Sequence, residues 1–390
     1  MSRPLLLLTL LLTLAVACGR NLAPEDADAG FTTVVDGGTG DGGGALTDAG
    51  TLGDAGSDAG ADTDAGADTD AGPDADAGSM DAGRFDAGQQ RPDAGPTPPW
   101  DGGLTPPPPL PMYGGTCPTL VSSHLAAMAR NTGFTSRGDA REFLLLVPQS
   151  YTPTKRYPVV YGYHWLNSSA NSVVRDAELE SAINQYEFIA VVPENLETGG
   201  RKAYQFDWPF VETMFAPKEL GFFEDVLACV GQQFSVDPAR IHVFGASAGG
   251  LWTAYLSTTP AVNRVASVLS ISGGLGQESL TNLWRIEWMP QQNKFPALVV
   301  WGGATDFFIL NFDQASRRYR DALRADGHFV TQCVHSSGHG IPPFAAPTDG
   351  GTRFPMFWEF FRDHPFGLPP NTSPWTRLPP SFPSVCSVVP

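Results

Sequence analysis

The chain has 390 residues, 42% of them hydrophobic, with 43 Gly, 35 Pro and a formal net charge of −17. The acidity sits in one stretch: between Cys18 and Asp101 stand 18 acidic residues against three Arg, which leaves 20 basic and 23 acidic side chains for residues 102–390. A near-neutral body of that size can bury one large core, and nothing in it supplies the basic face that a nucleic-acid binder needs.

In chain order, residues 1–18 read as an export signal. Arg3 supplies the positive start, and the apolar run 5–17 is too short to span a bilayer. Small residues lead into Cys18, which resembles a bacterial lipobox and implies lipidation of that cysteine. A cysteine with several acyl chains is a stable membrane anchor. Cleavage after Ala17 and plain secretion is the alternative. Residues 19–113 read as a disordered linker, with Asp-Ala-Gly occurring ten times between Asp28 and Gly95. Such a stretch has too few large apolar groups to offset the entropy of ordering, and its charges repel. The glycine-rich nonapeptide of calcium β-rolls is absent, so the Asp repeats read as solvated chain. As a flexible coil it reaches roughly 50–60 Å. The proline-rich run 105–111 reads as a stiff spacer. With Cys18 set aside, Cys117, Cys229, Cys333 and Cys386 stand at no CxxC spacing and suit two disulfides in an oxidising compartment, in any of three pairings.

Residues 114–390 read as one folded domain. The runs 143–147 and 157–163 predict strands, 176–185 a helix, and 188–192 a buried strand ended by Pro193. The segment 217–234 predicts a long amphipathic helix with Leu220, Phe223, Leu227 and Val230 near one face. Strand 241–244, a helix from Gly249 and strand 265–271 follow. After a long loop come strand 297–301, helix 312–325, strand 329–334 and a last helix over 354–361. Alternating strands and helices mean an α/β fold, a mostly parallel central sheet with helices on both faces. Sites in such sheets lie at the carboxyl ends of the strands.

At one such end stands Gly245-Ala246-Ser247-Ala248-Gly249, directly after a strand and directly before a helix. A sharp strand–turn–helix strains the serine outward, and only small neighbours let strand and helix approach. A serine hydroxyl needs a base, and the base an orienting acid. After a nucleophile elbow the order along the chain is acid, then histidine. Asp306 follows the next-to-last predicted strand, and His339 lies in a glycine-flanked loop after the last. Asp313 falls inside the following helix and Asp326 at its end. His335 sits at the strand end, without the free loop of His339.

With these residues in view, 114–365 resembles the α/β-hydrolase superfamily, and within it the secreted polyhydroxybutyrate depolymerase/feruloyl esterase-like esterases. The resembling stretches are Val236-Asp237-Pro238-Ala239-Arg240-Ile241-His242-Val243 ahead of the elbow, Gly303-Ala304-Thr305-Asp306, and Ser337-Gly338-His339-Gly340. The resemblance implies a serine carboxylic ester hydrolase with catalytic Ser247, Asp306 and His339, no metal or organic cofactor, and an ester substrate, polymeric or polysaccharide-linked. It also implies an oxyanion hole built from the backbone N–H groups of Ala248 and Leu166, with Trp165 as the alternative to Leu166. Trp165 stands where the family has glycine, and His164 has either a direct role or that of a buried structural histidine. Trp165 and Trp208 are candidate cleft residues, and Trp284 and Trp288 candidate lid residues. A serine peptidase of the same superfamily, or a non-catalytic surface binding module with the same fold, are the competing readings.

Overall fold

A computed structural model describes residues 104–276, 285–345 and 351–390. The export signal, Cys18, the linker up to residue 103, and Trp284 lie outside the described residues.

The strands are β1 (Asn131–Ser136), β2 (Asp139–Leu146), β3 (Tyr157–Tyr163), β4 (Ile189–Pro193), β5 (Glu197–Thr198), β6 (Arg201–Lys202), β7 (Val236–Ala246), β8 (Ser267–Ile271), β9 (Ala297–Trp301), β10 (Phe307–Phe308), β11 (Leu310–Asn311), β12 (Val330–Val334) and β13 (Cys386–Val388). The α-helices among the described residues are α1 (Ala170–Asp176), α2 (Leu179–Tyr186), α3 (Ala216–Gln233), α4 (Ala248–Ser257), α5 (Phe312–Ala325) and α6 (Pro355–Asp363). Nine strands form one sheet in the order β1-β2-β4-β3-β7-β8-β9-β12-β13. The six from β4 to β12 run parallel, and β1, β2 and β13 are antiparallel additions at the two edges.

The period-2 alternation of strand side chains sorts the core into two layers. Phe143, Leu145, Tyr161, Val191 and Val243 join α3, α4 and α5 on one face. Leu144, Leu146, Val160, Val192 and Phe244 join α1, α2 and α6 on the other. Both faces are covered, which is why the central strands read as unbroken apolar runs. Helix α5 shows the complementary helical period: Phe312, Ala315, Tyr319 and Leu323 are buried, while Arg317, Arg318 and Asp321 are exposed. Asn311 caps it by accepting from the Gln314 N–H at 3.0 Å.

Four local features depart from the sequence expectation. The helix expected over 176–185 begins only at Leu179, and an unexpected helix, Ala170–Asp176, precedes it; between the two Glu178 adopts a left-handed conformation (φ 52°), its carboxylate gripped by Arg353. Strand β7 starts at Val236, well before Ile241. Tyr157 pairs with Val236 and Val159 with Ile241, so Pro238 lies in a bulge where no ladder N–H is required. The edge strands β1 and β13 carry no clear apolar alternation and were not expected. Finally, the proline-rich run is not a free spacer: the Thr105 N–H donates to Gly367 O at 3.1 Å, Arg264 donates to Pro109 O at 3.0 Å, and Tyr113 stacks on Phe134. Packing against the domain thus begins near Thr105 rather than at Gly114.

The four cysteines pair as Cys117–Cys229 and Cys333–Cys386. The first ties the N-terminal arm to α3. The second joins β12 to edge strand β13 and so supports the strand that leads to His339.

Candidate active site

Ser247 falls between the last residue of β7 and the first of α4, with φ 53° and ψ −116°. That backbone is strained for a residue with a Cβ. It is held by the Ser247 N–H donating to Ile271 O at 2.9 Å, and by Ser247 O accepting from the Leu251 N–H at 2.8 Å. The flanking glycines are a matter of space. A Cβ on Gly245 would lie 2.2 Å from Gly249 O, and one on Gly249 would lie 2.1 Å from Tyr163 O. Strand, helix and the loop after β3 therefore meet backbone to backbone around the serine.

Three of the expected residues come together although 59 and 33 positions separate them along the chain. His339 Nε2 is 2.9 Å from Ser247 Oγ, and His339 Nδ1 is 2.8 Å from Asp306 Oδ1. A carboxylate only accepts, so Nδ1 carries the proton and Nε2 is left to accept from the serine hydroxyl. Asp306 is 0% exposed. Its other oxygen accepts from Ser272 Oγ at 2.7 Å and from the Gly302 N–H at 2.8 Å. The carboxylate is thus held by two neutral donors on one side and the imidazole on the other. Phe312 stacks on the His339 ring with centroids 4.3 Å apart, and Phe308 lies parallel to it at 5.7 Å.

The runner-up residues have other partners. Asp313 accepts from Trp301 Nε1 at 2.7 Å and Arg317 Nε at 2.9 Å. Asp326 pairs with Lys294 at 2.7 Å and accepts from Trp288 Nε1 at 3.2 Å. His335 is buried, which lowers its pKa from the ordinary 6.5, and its Nδ1 accepts from the Ser337 N–H. Both carboxylates are committed elsewhere, and it is His339 that meets the Ser247 hydroxyl.

Ala248 is the first residue of α4, so its N–H has no acceptor within the helix and faces the region of the serine. Leu166 lines an apolar cavity together with Ser247, Ala248, Phe206, Phe210 and Phe308. Trp165 lines a different apolar cavity, with Tyr163, Ala246, Ile341 and Trp358, so of the two side chains it is that of Leu166 that lines the cavity beside Ser247. Trp208 is fully buried. Its Nε1 donates to His164 O at 2.9 Å, and its ring lies near those of Tyr163 and Trp252. Trp208 therefore lines neither cavity, and it is Phe206, partly buried, and Phe210, buried, that line the cavity beside Ser247. His164 is a buried structural histidine, with Nδ1 bonded to Trp165 O at 2.9 Å and its pKa lowered by burial. Trp288 packs between Tyr319 and His328 and lines neither cavity.

Sequence reasoning missed Ser272, Phe308 and Phe312. The first has no motif. The run Phe307-Phe308-Ile309-Leu310 directly after the expected acid was the one visible signal, since consecutive exposed apolar residues call for a reason. Among the described residues, no group of three or more His, Cys, Asp or Glu is placed to hold a metal ion.

A mostly parallel sheet with a strained serine between strand and helix defines the α/β-hydrolase class. The model of the Esterase family matches residues 135–328. The chain is 27% identical over 246 residues to feruloyl esterase C of Emericella nidulans, which covers 57% of this chain and 84% of that protein. It is 22% identical over 142 residues to the "Probable feruloyl esterase C" of Aspergillus terreus, where the match spans 35% of this chain and about half, 48%, of that protein. In fold it is similar to the crystal structure of native pOPH, with a TM-score of 0.51 at 18% identity over 70% of this chain and 97% of that one. The chain is an α/β-hydrolase esterase, of the carboxylic ester hydrolase class.

Proposed function

We propose that the protein is an extracytoplasmic serine esterase acting through Ser247, His339 and Asp306. One observation carries the reading: the unbroken hydrogen-bonded chain from Ser247 Oγ through both imidazole nitrogens to a fully buried carboxylate. Ser247 Oγ attacks the ester carbonyl carbon as its proton passes to His339 Nε2. The oxygen on which charge develops accepts hydrogen bonds from the N–H groups of Ala248 and Leu166. Collapse breaks the bond to the alcohol oxygen, which takes the proton back from Nε2. Water then repeats the sequence on the acyl-serine, releasing the acid. Asp306 holds the tautomer that leaves Nε2 free and stabilises the imidazolium. None of these steps calls on a metal or an organic cofactor.

The apolar cavity beside Ser247 suits an apolar or aromatic acyl group, in keeping with the names of the two fungal relatives. A polymeric or polysaccharide-linked ester is the preferred substrate in this reading. Phe308 and Ile309, which line that cavity, are 52% and 61% exposed and Phe307 beside them in the chain 64%, and they suit contact with a large apolar substrate. The domain plan is an export signal over 1–18 with Cys18 lipidated, a linker over 19–113 whose last residues, from Thr105 on, pack against the domain, and a catalytic domain over 114–390. It would hold such an enzyme at a distance from the membrane, and two disulfides suit an oxidising compartment. The first test is Ser247→Ala: hydrolysis of p-nitrophenyl butyrate should vanish while the circular dichroism spectrum stays unchanged. Turnover near that of the wild type would overturn the assignment. A panel of polyhydroxybutyrate, feruloylated and acetylated polysaccharide, and short soluble esters then identifies the substrate, and preference for the short soluble esters would overturn the polymer reading.

A further inference from the structure

The loop after β3 reads Gly162-Tyr163-His164-Trp165-Leu166-Asn167, with a bulky tryptophan just ahead of the residue whose N–H is to meet the oxyanion. Such a loop needs an external brace if its N–H is to be preorganised. Two non-glycine residues in the left-handed region mark where the brace attaches: Asn167 (φ 58°) and Asp207 (φ 67°). They are bonded to each other, the Asn167 N–H donating to Asp207 Oδ2 at 2.5 Å. Lys202 Nζ lies 2.5 Å from Asp207 Oδ1 and donates to Asn167 Oδ1 at 2.8 Å. Asp207 has no exposed surface, and a buried carboxylate persists only when paired.

The supporting segment is built for this delivery. Gly199 and Gly200, at φ 62° and 72°, form the two-residue turn between β5 and β6. Positive φ at both central positions is what a tight hairpin turn demands. The hairpin brings Lys202, the last residue of β6, over Asp207. The next residue, Trp208, donates from Nε1 to His164 O. The loop is therefore held at residue 164 by an indole and at residue 167 by a carboxylate, with Leu166 between the two points. Lys202 neutralises Asp207, so the brace adds no net negative charge beside a developing oxyanion.

We propose that Lys202, Asp207 and Trp208 form a clasp that fixes the Leu166 N–H as the second oxyanion donor, with Asp207 as the positioning residue acting through Asn167. This rests on the reading of Ser247 as nucleophile and of Leu166 as donor. The experiment compares Asp207→Ala, Asp207→Asn, Lys202→Met and Ser247→Ala in the full chain. The readouts are kcat and KM for p-nitrophenyl butyrate per phosphonate-titrated site, and Ki for an aryl trifluoromethyl ketone, whose serine adduct bears an oxyanion. Losing one oxyanion donor lowers kcat by about 10²–10³-fold. Asp207→Ala should approach the lower figure with KM within about threefold, and Ki should rise by a factor similar to the loss in kcat/KM. Asp207→Asn, which keeps an acceptor for the Asn167 N–H, should recover most of the rate. A purely structural role would lower the titratable fraction but leave kcat per site unchanged. The clasp is overturned if kcat per site stays within about threefold of wild type in both Asp207→Ala and Lys202→Met, or if kcat falls without a rise in Ki. If Asp207→Ala does not fold, Lys202→Met carries the test, since Lys202 is 34% exposed in its side chain and its loss removes no core contact. Inactive Ser247→Ala beside wild-type behaviour of the clasp variants overturns the clasp alone. Active Ser247→Ala overturns the site and the clasp together.

Discussion

Replacing Asp306 with Asn tests the tautomer argument, because the surroundings of the carboxylate decide which way the amide must point. Asp306 accepts three hydrogen bonds, two of them at one oxygen, from Ser272 Oγ and the Gly302 N–H at 2.7 and 2.8 Å. The third comes from His339 Nδ1 at 2.8 Å. An amide has one acceptor end and one donor end. Turning its NH₂ toward Ser272 and Gly302 would oppose the buried Gly302 N–H with another donor, whereas turning it toward His339 opposes a ring that can change tautomer. The second arrangement is the less costly. It makes Nδ1 the acceptor and puts the proton on Nε2, which then cannot accept from Ser247. The fold should be untouched, since the substitution is isosteric. The expected loss in kcat is up to about 10⁴-fold, equivalent to roughly 5 kcal/mol of transition-state stabilisation. Steady-state and burst hydrolysis of p-nitrophenyl butyrate at neutral pH measures it, with thermal unfolding as the control for integrity. A loss below about tenfold would refute the reasoning, because the wrong tautomer alone is worth far more. So would an equal loss in Asp313→Asn, whose carboxylate is engaged by Trp301 and Arg317.

Gly249→Ala places a Cβ 2.1 Å from Tyr163 O, so it should lower activity at least about tenfold through displacement of the loop that carries Leu166; an active, equally stable variant would show that the contact yields. Stability should fall on acidification. Burial depresses the His364 pKa from 6.5 to about 4, so between those values the unfolded chain takes up a proton that the folded one does not, a loss of up to about 3 kcal/mol from this residue. His242, His164, His328 and His335 are depressed by burial in the same direction; a melting temperature unchanged from pH 7 to about 4.5 would contradict this. Cys18→Ser should abolish lipidation, read by acyl labelling of the mature protein. Deleting residues 25–100 should leave turnover of a soluble ester intact while lowering turnover of an insoluble one by whole cells; equal loss on both would mean that the segment belongs to the folded domain.

The three side chains that meet in the candidate site could be picked out in the chain because each stands in a locally dictated setting. A strand followed at once by Gly-x-Ser-x-Gly and a helix leaves few conformations other than a strained turn, and the backbone contacts at Gly245 and Gly249 explain why those positions are glycine. Asp306 and His339 could be picked from their neighbours because each follows the end of an apolar strand, where the sheet's geometry collects functional loops. Tertiary structure alone decided what surrounds them. Ser272 has no motif, and it meets Asp306 only because β8 and β9 are adjacent and parallel, ending at the same edge. Phe206 and Trp208, both aromatic and two apart, divide between the cavity wall and the interior according to a turn that no local pattern announces. The proline-rich run looked like a spacer because its composition specifies only an extended chain, not whether a surface lies beside it. Local sequence determines backbone preference and chemistry over a few residues. Which distant groups share a site depends on sheet order and loop contacts, which are summed over the whole fold.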